Sequence, residues 1–262
     1  MQIPNEPTTH GRIDPLQRGV TDSGYWDSLP PGSHNSWASA REPTVHRRGA
    51  KNNRNNHYES ETAATPLDAV EFKTGTTTVA VAASDGAVMA ADRRMSLGTG
   101  FTASKDVRKI KQVHPTGAVA IAGAVGPAQG LLDSLRAEAT LYESRRGREM
   151  SMTALSKTAG HLVRGLPVRP LLAGVDDAGA HAYELDGGGS VIEDGYAASG
   201  SGMQLAYGVL EGRIEAGIGV DDARAAAAAA IEAASERDGA SGNGVTLATI
   251  TDDGVAFERR GS

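Results

Sequence analysis

The chain has 262 residues, enough for a well-packed domain that needs no metal or disulfide staple. It contains no cysteine, which excludes a disulfide framework, thiolate catalysis and thiolate metal ligation, and fits a reducing interior. A formal charge of -6, from 26 basic and 32 acidic residues, argues against a nucleic-acid binder that works through a basic surface.

The residues are unevenly spread. The first 75 positions hold 7 of the 11 prolines, 6 of the 7 asparagines and both tryptophans, Trp26 and Trp37. This segment has no sustained apolar period, and it carries the polar run Lys51-Asn52-Asn53-Arg54-Asn55-Asn56. It is expected to be disordered, because too little apolar surface is available to offset chain entropy. No apolar stretch resembles a secretory signal or reaches the length of a membrane span, so a cytoplasmic location is expected.

From Thr76 the pattern becomes regular. Residues 76–83 are rich in β-branched types, and Asp85-Gly86 leads into 87–91, which predicts a hairpin. Further strands are predicted over 107–113 and 117–122. Leu131, Leu132, Leu135, Ala139 and Tyr142 then fall at helical spacing after Gly126-Pro127. Met152, Leu155, Ala159, Leu162 and Val163 repeat that spacing behind a Ser151 cap. Strands are predicted over 171–175 and 180–185. Helices follow around Leu205, Val209 and Leu210 and over 220–236, the latter with an alanine run suited to close packing. A hairpin over 245–251 and 255–258 closes the chain. Strand blocks alternating with helix pairs point to an α+β fold of antiparallel sheets with segregated helices.

Familiar chemistry is mostly absent. His114, His161 and His181 are not at metal-ligand spacing, and there is no phosphate loop, dinucleotide loop or Gly-x-Ser-x-Gly elbow, so neither a metal nor a cofactor is expected. A hydroxyl nucleophile would need a base other than histidine. Cleavage after Gly75 would supply one, since the freed α-amino group of Thr76, with a pKa of about 8, can accept the hydroxyl proton. Gly75 would permit the contorted backbone that self-attack requires. By residue type alone, the same threonines could simply begin a strand.

The surrounding motifs bear on that choice. Thr76–Val79, Ala91-Asp92-Arg93-Arg94, Ser104-Lys105-Asp106-Val107-Arg108-Lys109-Ile110, Ile121-Ala122-Gly123, Gly200-Ser201-Gly202 and Arg237-Asp238-Gly239-Ala240-Ser241-Gly242 occur in one order. Together they resemble proteasome β subunits, most closely the archaeal ones, across 76–262. The resemblance implies a four-layer αββα sandwich of the N-terminal-nucleophile hydrolases, acting as a threonine endopeptidase on unfolded polypeptides. It also implies a propeptide over 1–75, a catalytic domain over 76–262, and two β rings stacked between rings of α subunits and served by an unfoldase ATPase.

Carried over by position, Thr76 is the implied nucleophile and, once freed, the base. Lys109 is the cation beside it, and Asp92 is the partner that holds Lys109 charged. Gly123 is the implied oxyanion donor, and Ser201, Asp238 and Ser241 orient the threonine. Met95, Ile121 and Val125 line the specificity pocket and suggest cleavage after apolar residues. By type alone, Asp92 and Lys109 could be a surface pair, Gly123 a turn, and the three aliphatics ordinary core.

Some departures stand out. The interval from Asp92 to Lys109 is one residue longer than the family pattern, with the insertion expected around Gly98-Thr99-Gly100. Met203 replaces a small polar residue, Lys111 brings charge near the pocket, and the leader is unusually long. Two alternatives remain open: a subunit of the two-ring bacterial peptidase that pairs directly with an ATPase, and a non-catalytic structural subunit of the ring.

Overall fold

The computed structural model describes residues 75–97 and 100–261. The expected propeptide, apart from Gly75, therefore lies outside the described residues, as do Gly98 and Thr99 of the expected insertion.

Twelve strands and four helices are described. β1 (Thr77–Ala83) and β2 (Gly86–Asp92) open the chain, followed by the short pair β3 (Met95–Leu97) and β4 (Phe101–Ser104). Then come β5 (Ile110–His114), β6 (Gly117–Gly123), α1 (Val125–Arg146) and α2 (Met152–Leu162). β7 (Val168–Asp176), β8 (Gly179–Leu185), β9 (Val191–Glu193) and β10 (Tyr196–Gly200) lead to α3 (Met203–Leu210) and α4 (Val220–Arg237). β11 (Val245–Thr251) and β12 (Gly254–Arg260) end the described chain.

One antiparallel sheet has the order β10-β1-β2-β11-β12 and the other β5-β6-β7-β8-β9. The alternation of side chains along each strand divides the core into three apolar layers. In β1, Val79 and Val81 face α3 and α4, where they meet Leu210, Ala227 and Ile231. Ala80 points the other way, to a layer shared with Ala118, Ala120, Leu171 and Ala173 of the second sheet. Val119 and Leu172 face the third layer, formed with Leu131, Leu135 and Leu155 of α1 and α2. The result is the αββα sandwich. Both faces of each sheet are covered, which is why these antiparallel strands read as nearly unbroken apolar runs.

Several expectations shift. The first hairpin turns through Ser84 and Asp85, with Gly86 already paired to Ala83. Gly86 is required for space, since a Cβ there would lie 2.6 Å from the Ile250 carbonyl oxygen. Asp85 Oδ1 instead accepts the Val220 N–H at 2.8 Å, satisfying one of the donors left open at the start of α4. The strand expected over 107–113 begins only at Ile110, because the preceding residues turn back toward Arg93, whose carbonyl accepts from Val107 N at 2.9 Å. α1 begins at Val125, ahead of Gly126-Pro127, and the proline is tolerated because first-turn N–H groups have no helical partner. β3, β4, β9 and β10 carry too little apolar periodicity to be read from sequence. Ser151 does cap α2, accepting from Ala154 N at 3.3 Å.

Among the described residues no helix is long and apolar enough to cross a membrane.

Candidate active site

The chain ends that matter converge at one edge of the sandwich. Thr76 immediately precedes β1, Asp92 ends β2, Lys109 precedes β5, Gly123 ends β6, and Ser201 follows β10. Asp238 follows α4, and Ser241 lies in the loop into β11. Pairing of Val245 with Asp92 and of Thr77 with Gly200 brings the late segments onto the early ones.

Asp92 is fully buried, yet each of its oxygens is satisfied. Oδ1 accepts from Lys109 Nζ at 2.5 Å and Thr77 N at 2.9 Å. Oδ2 accepts from Gly242 N at 2.9 Å and Arg94 N at 3.1 Å. The Lys109 side chain is only 5% exposed. Burial draws its pKa below the usual lysine range, and the Asp92 carboxylate opposes that fall without cancelling it. The result is a buried, matched ion pair, distinct from a solvated surface contact.

A second carboxylate organises the other side. Asp238 Oδ2 accepts from Ser201 Oγ at 2.5 Å and from Ser241 Oγ at 2.7 Å. Ser201 Oγ in turn receives the Thr76 N–H at 3.2 Å, and Ser201 N donates to the Thr76 carbonyl at 2.8 Å. Thr76 itself is 4% exposed, and its hydroxyl donates to the Gly75 carbonyl at 2.7 Å. The nitrogen, hydroxyl and carbonyl of Thr76 are therefore all fixed.

The glycines have separate reasons. Gly123 has φ 120, and a Cβ there would come 2.5 Å from the Pro167 oxygen, so this backbone excludes other residues. At Gly75 the constraint is space rather than conformation, because a Cβ would sit 1.8 Å from Ala240 Cβ.

Thr76, Lys109 and Gly123 share a cavity of about 390 Å³ with Met95, Ile121 and Val125. Ala128 and Leu132 of α1 extend its apolar wall, and Lys111 supplies a charged portion. All three expected pocket residues thus line the cavity that contains the Gly75–Thr76 junction's hydroxyl residue.

Comparison with known proteins assigns the family. Residues 72–250 match the proteasome subunit family. The chain is 50% identical to a proteasome subunit beta of Natrialba magadii over 211 residues, covering 76% of this chain and 86% of that protein. It is 52% identical to the one from Halorubrum lacusprofundi over 192 residues, covering 72% and 79% respectively. A Halorhabdus utahensis protein of the same description is 50% identical over 189 residues, covering 71% and 81%. The chain belongs to the proteasome subunit family, among its β subunits.

Two residues of this proteasome-family site escaped the sequence reading. Thr77 joins the two carboxylate clusters, with its N–H on Asp92 and its hydroxyl 2.8 Å from Ser241 Oγ. Arg94 pins the loop after α4, donating to Gly239 O at 2.9 Å and to Asn243 Oδ1 at 2.9 Å. Nothing local distinguishes Arg94 from Arg93, which instead pairs with the exposed Asp106 at 3.0 Å. Thr77 looks like any strand threonine until β1 is registered against its neighbours.

The histidines lie elsewhere. His114 is buried, with Nδ1 3.2 Å from Thr116 N, and His181 lies between Asp176 and Glu193. Neither lines the Thr76 cavity.

Proposed function

We propose that this chain is a threonine endopeptidase of a proteasome core particle, with Thr76 exposed by autocatalytic removal of residues 1–75. One observation carries the reading: the Thr76 hydroxyl is hydrogen-bonded to the carbonyl of the residue before it, in a cavity that also contains Lys109 and Gly123.

In the intact chain the Thr76 nitrogen is an amide that donates to Ser201 and has no basicity. Processing must come first. Thr76 Oγ adds to the Gly75 carbonyl carbon, the C–N bond breaks, and the hydroxyl proton passes to nitrogen, leaving an ester and a free amine. Water then hydrolyses the ester to a Gly75 carboxylate and restores the hydroxyl.

The mature site repeats this chemistry on a substrate. The Thr76 amine takes the hydroxyl proton, Oγ attacks a peptide carbonyl, and the amine returns the proton to the leaving nitrogen. Lys109 places positive charge where it favours the neutral amine and the developing alkoxide. The Gly123 backbone N–H is assigned to the oxyanion, a donor type that contributes typically about 3 kcal/mol. Ser201, Asp238 and Ser241 hold the nucleophile in position. The apolar wall of Met95, Ile121 and Val125 favours cleavage after apolar residues.

The relatives' β-subunit identity supports assembly with α subunits and other β subunits into stacked rings enclosing a chamber. On this reading, unfolded polypeptides reach the chamber through an unfoldase ATPase in the cytoplasm.

Co-expression with the α partner, followed by intact mass, N-terminal sequencing and peptidase assay, tests the proposal. Wild type should begin at Thr76 and cleave an apolar peptide, while Thr76→Ala should stay unprocessed and inactive. Active, assembled wild type that retains residues 1–75 would overturn it, since no free amine would exist. An assembled but inert wild type would indicate a structural ring subunit.

A further inference from the structure

Beside the Thr76 cavity lies a second opening of about 340 Å³, at the edge of the sandwich where β12 of one sheet faces β5 of the other. Its wall contains Arg108, Lys111, Arg136 and Arg259, together with Phe257 and Thr246, and no described carboxylate. Arg108 and Lys111 also line the Thr76 cavity, so the two openings share these cations in their walls.

The four cations are not equally committed. Arg136 is oriented by Asp133 at 3.1 Å and by the Gln112 carbonyl, and Arg259 reaches Asp106 at 3.3 Å. Asp106 is the only acid among the described residues of the Thr76 cavity wall, and it is already held by Arg93. The side chains of Arg108 and Lys111 make no ion pair or hydrogen bond with any described residue. Thr246, at 4% exposure, adds a buried hydroxyl that has no hydrogen-bond partner among the described residues. An unmet buried hydroxyl is unfavourable, and two unpaired cations beside two further guanidinium groups carry mutual repulsion that a bound anion relieves.

We propose that this cleft is an anion subsite of the substrate channel, taking the carboxylate side chain of a polypeptide residue next to the one seated in the Thr76 cavity. This rests on the endopeptidase reading above. Arg108 and Lys111 supply the free charge, and the guanidinium forks of Arg136 and Arg259, already fixed by their own partners, supply oriented donors. Phe257, 49% exposed, offers an apolar surface for the stem of a glutamate. Substrate choice then combines an apolar wall at Thr76 with an acidic preference alongside it.

The test uses wild-type assembled particles and two fluorescent peptides that differ only by Glu or Gln beside an apolar residue. The bond after the apolar residue is reduced to an uncleavable amine, so that binding is read whether or not the particle is active. The Glu peptide should bind about fivefold tighter at low ionic strength, and the advantage should shrink as salt is raised. The preference should disappear in a particle carrying Lys111→Met and Arg108→Gln, with assembly checked by native mass. Inorganic phosphate should weaken Glu-peptide binding more than chloride does at equal ionic strength.

Equal binding of the two peptides by wild type overturns the proposal, and if phosphate still binds, the cleft takes free anions only. A Glu preference that survives in the double variant also overturns it by placing the preference elsewhere. Hydrolysis of an ordinary apolar peptide, measured separately, reports on the endopeptidase reading alone.

Discussion

The backbone N–H of Thr77 lies 2.9 Å from Oδ1 of Asp92, the same oxygen that receives Lys109. The residue after the proposed nucleophile is therefore tied to the carboxylate that holds the proposed cation. Because the Thr77 hydroxyl also reaches Ser241, this residue couples the Asp92 cluster, through its backbone N–H, to the Asp238 cluster, through its hydroxyl. Thr77→Ser should keep near-normal turnover, whereas Thr77→Val should lower kcat about tenfold with little change in KM, the scale of one lost buried hydrogen bond. Steady-state kinetics on purified particles decides this, and an unaffected Thr77→Val would remove the hydroxyl from the argument.

The Asp92–Lys109 pair predicts an asymmetry. Without Lys109, Asp92 still accepts from Thr77, Arg94 and Gly242. Without Asp92, Lys109 is left buried with no other side-chain hydrogen-bond partner among the described residues. Asp92→Ala should therefore cost about 3–5 kcal/mol of stability, and Lys109→Met clearly less, although both should block processing. Denaturant melts of the unassembled chains compare them, and equal losses would contradict the buried-pair reading.

Gly75 predicts a rescue. The close approach to Ala240 leaves no room for a Cβ, so Gly75→Ala should displace the junction and slow self-processing. Adding Ala240→Gly should restore part of the rate. The processed fraction, followed by intact mass after assembly, reports the effect, and normal processing of Gly75→Ala alone would show that space is not what selects glycine.

His181 gives a pH dependence. Burial lowers its pKa, but hydrogen bonds to Glu193 and Asp176 outweigh this and leave it raised above the ordinary value. The stabilising contribution is then complete below about pH 6.5, the unfolded value, and is lost as pH rises through the higher folded value. Relative to His181→Gln, wild type should lose about 2 °C of thermal advantage across that window. A difference independent of pH would rule out the charged clamp.

Maturation has an optical signature. Trp26 and Trp37 both precede Thr76, so removal of residues 1–75 would leave particles of this chain without tryptophan. Emission excited at the tryptophan edge should fall as the processed fraction rises, apart from any tryptophan in the partner subunits. Retained emission from the processed chain would place the cut elsewhere.

Much of this was legible in advance because of how the sheets are covered. Strands buried on both faces, such as β1, β2 and β7, announce themselves as apolar runs, and α2 carries its own cap in Ser151. β3, β4 and β9 are short and partly exposed, so their pairing partners rather than their composition define them. The motifs located Thr76, Asp92 and Lys109 by likeness. The roles of Thr77 and Arg94 depend on contacts 164 and 149 residues away in sequence, which no local pattern encodes.

The alanine layer between the sheets has a consequence for the chemistry. Thr76, Asp92 and Ser201 ride on one sheet, while Lys109 and Gly123 ride on the other. Nine of the 14 buried residues in the seam between them are alanine, Ala80, Ala87, Ala91, Ala118, Ala120 and Ala173 among them. Those methyl groups act as shims that set the gap across which the proposed nucleophile and the proposed cation face each other. A single larger residue there, far from Thr76 and Lys109, would widen the gap and detune the site, so on the proposed mechanism the thinness of the core is itself part of the geometry of the reaction.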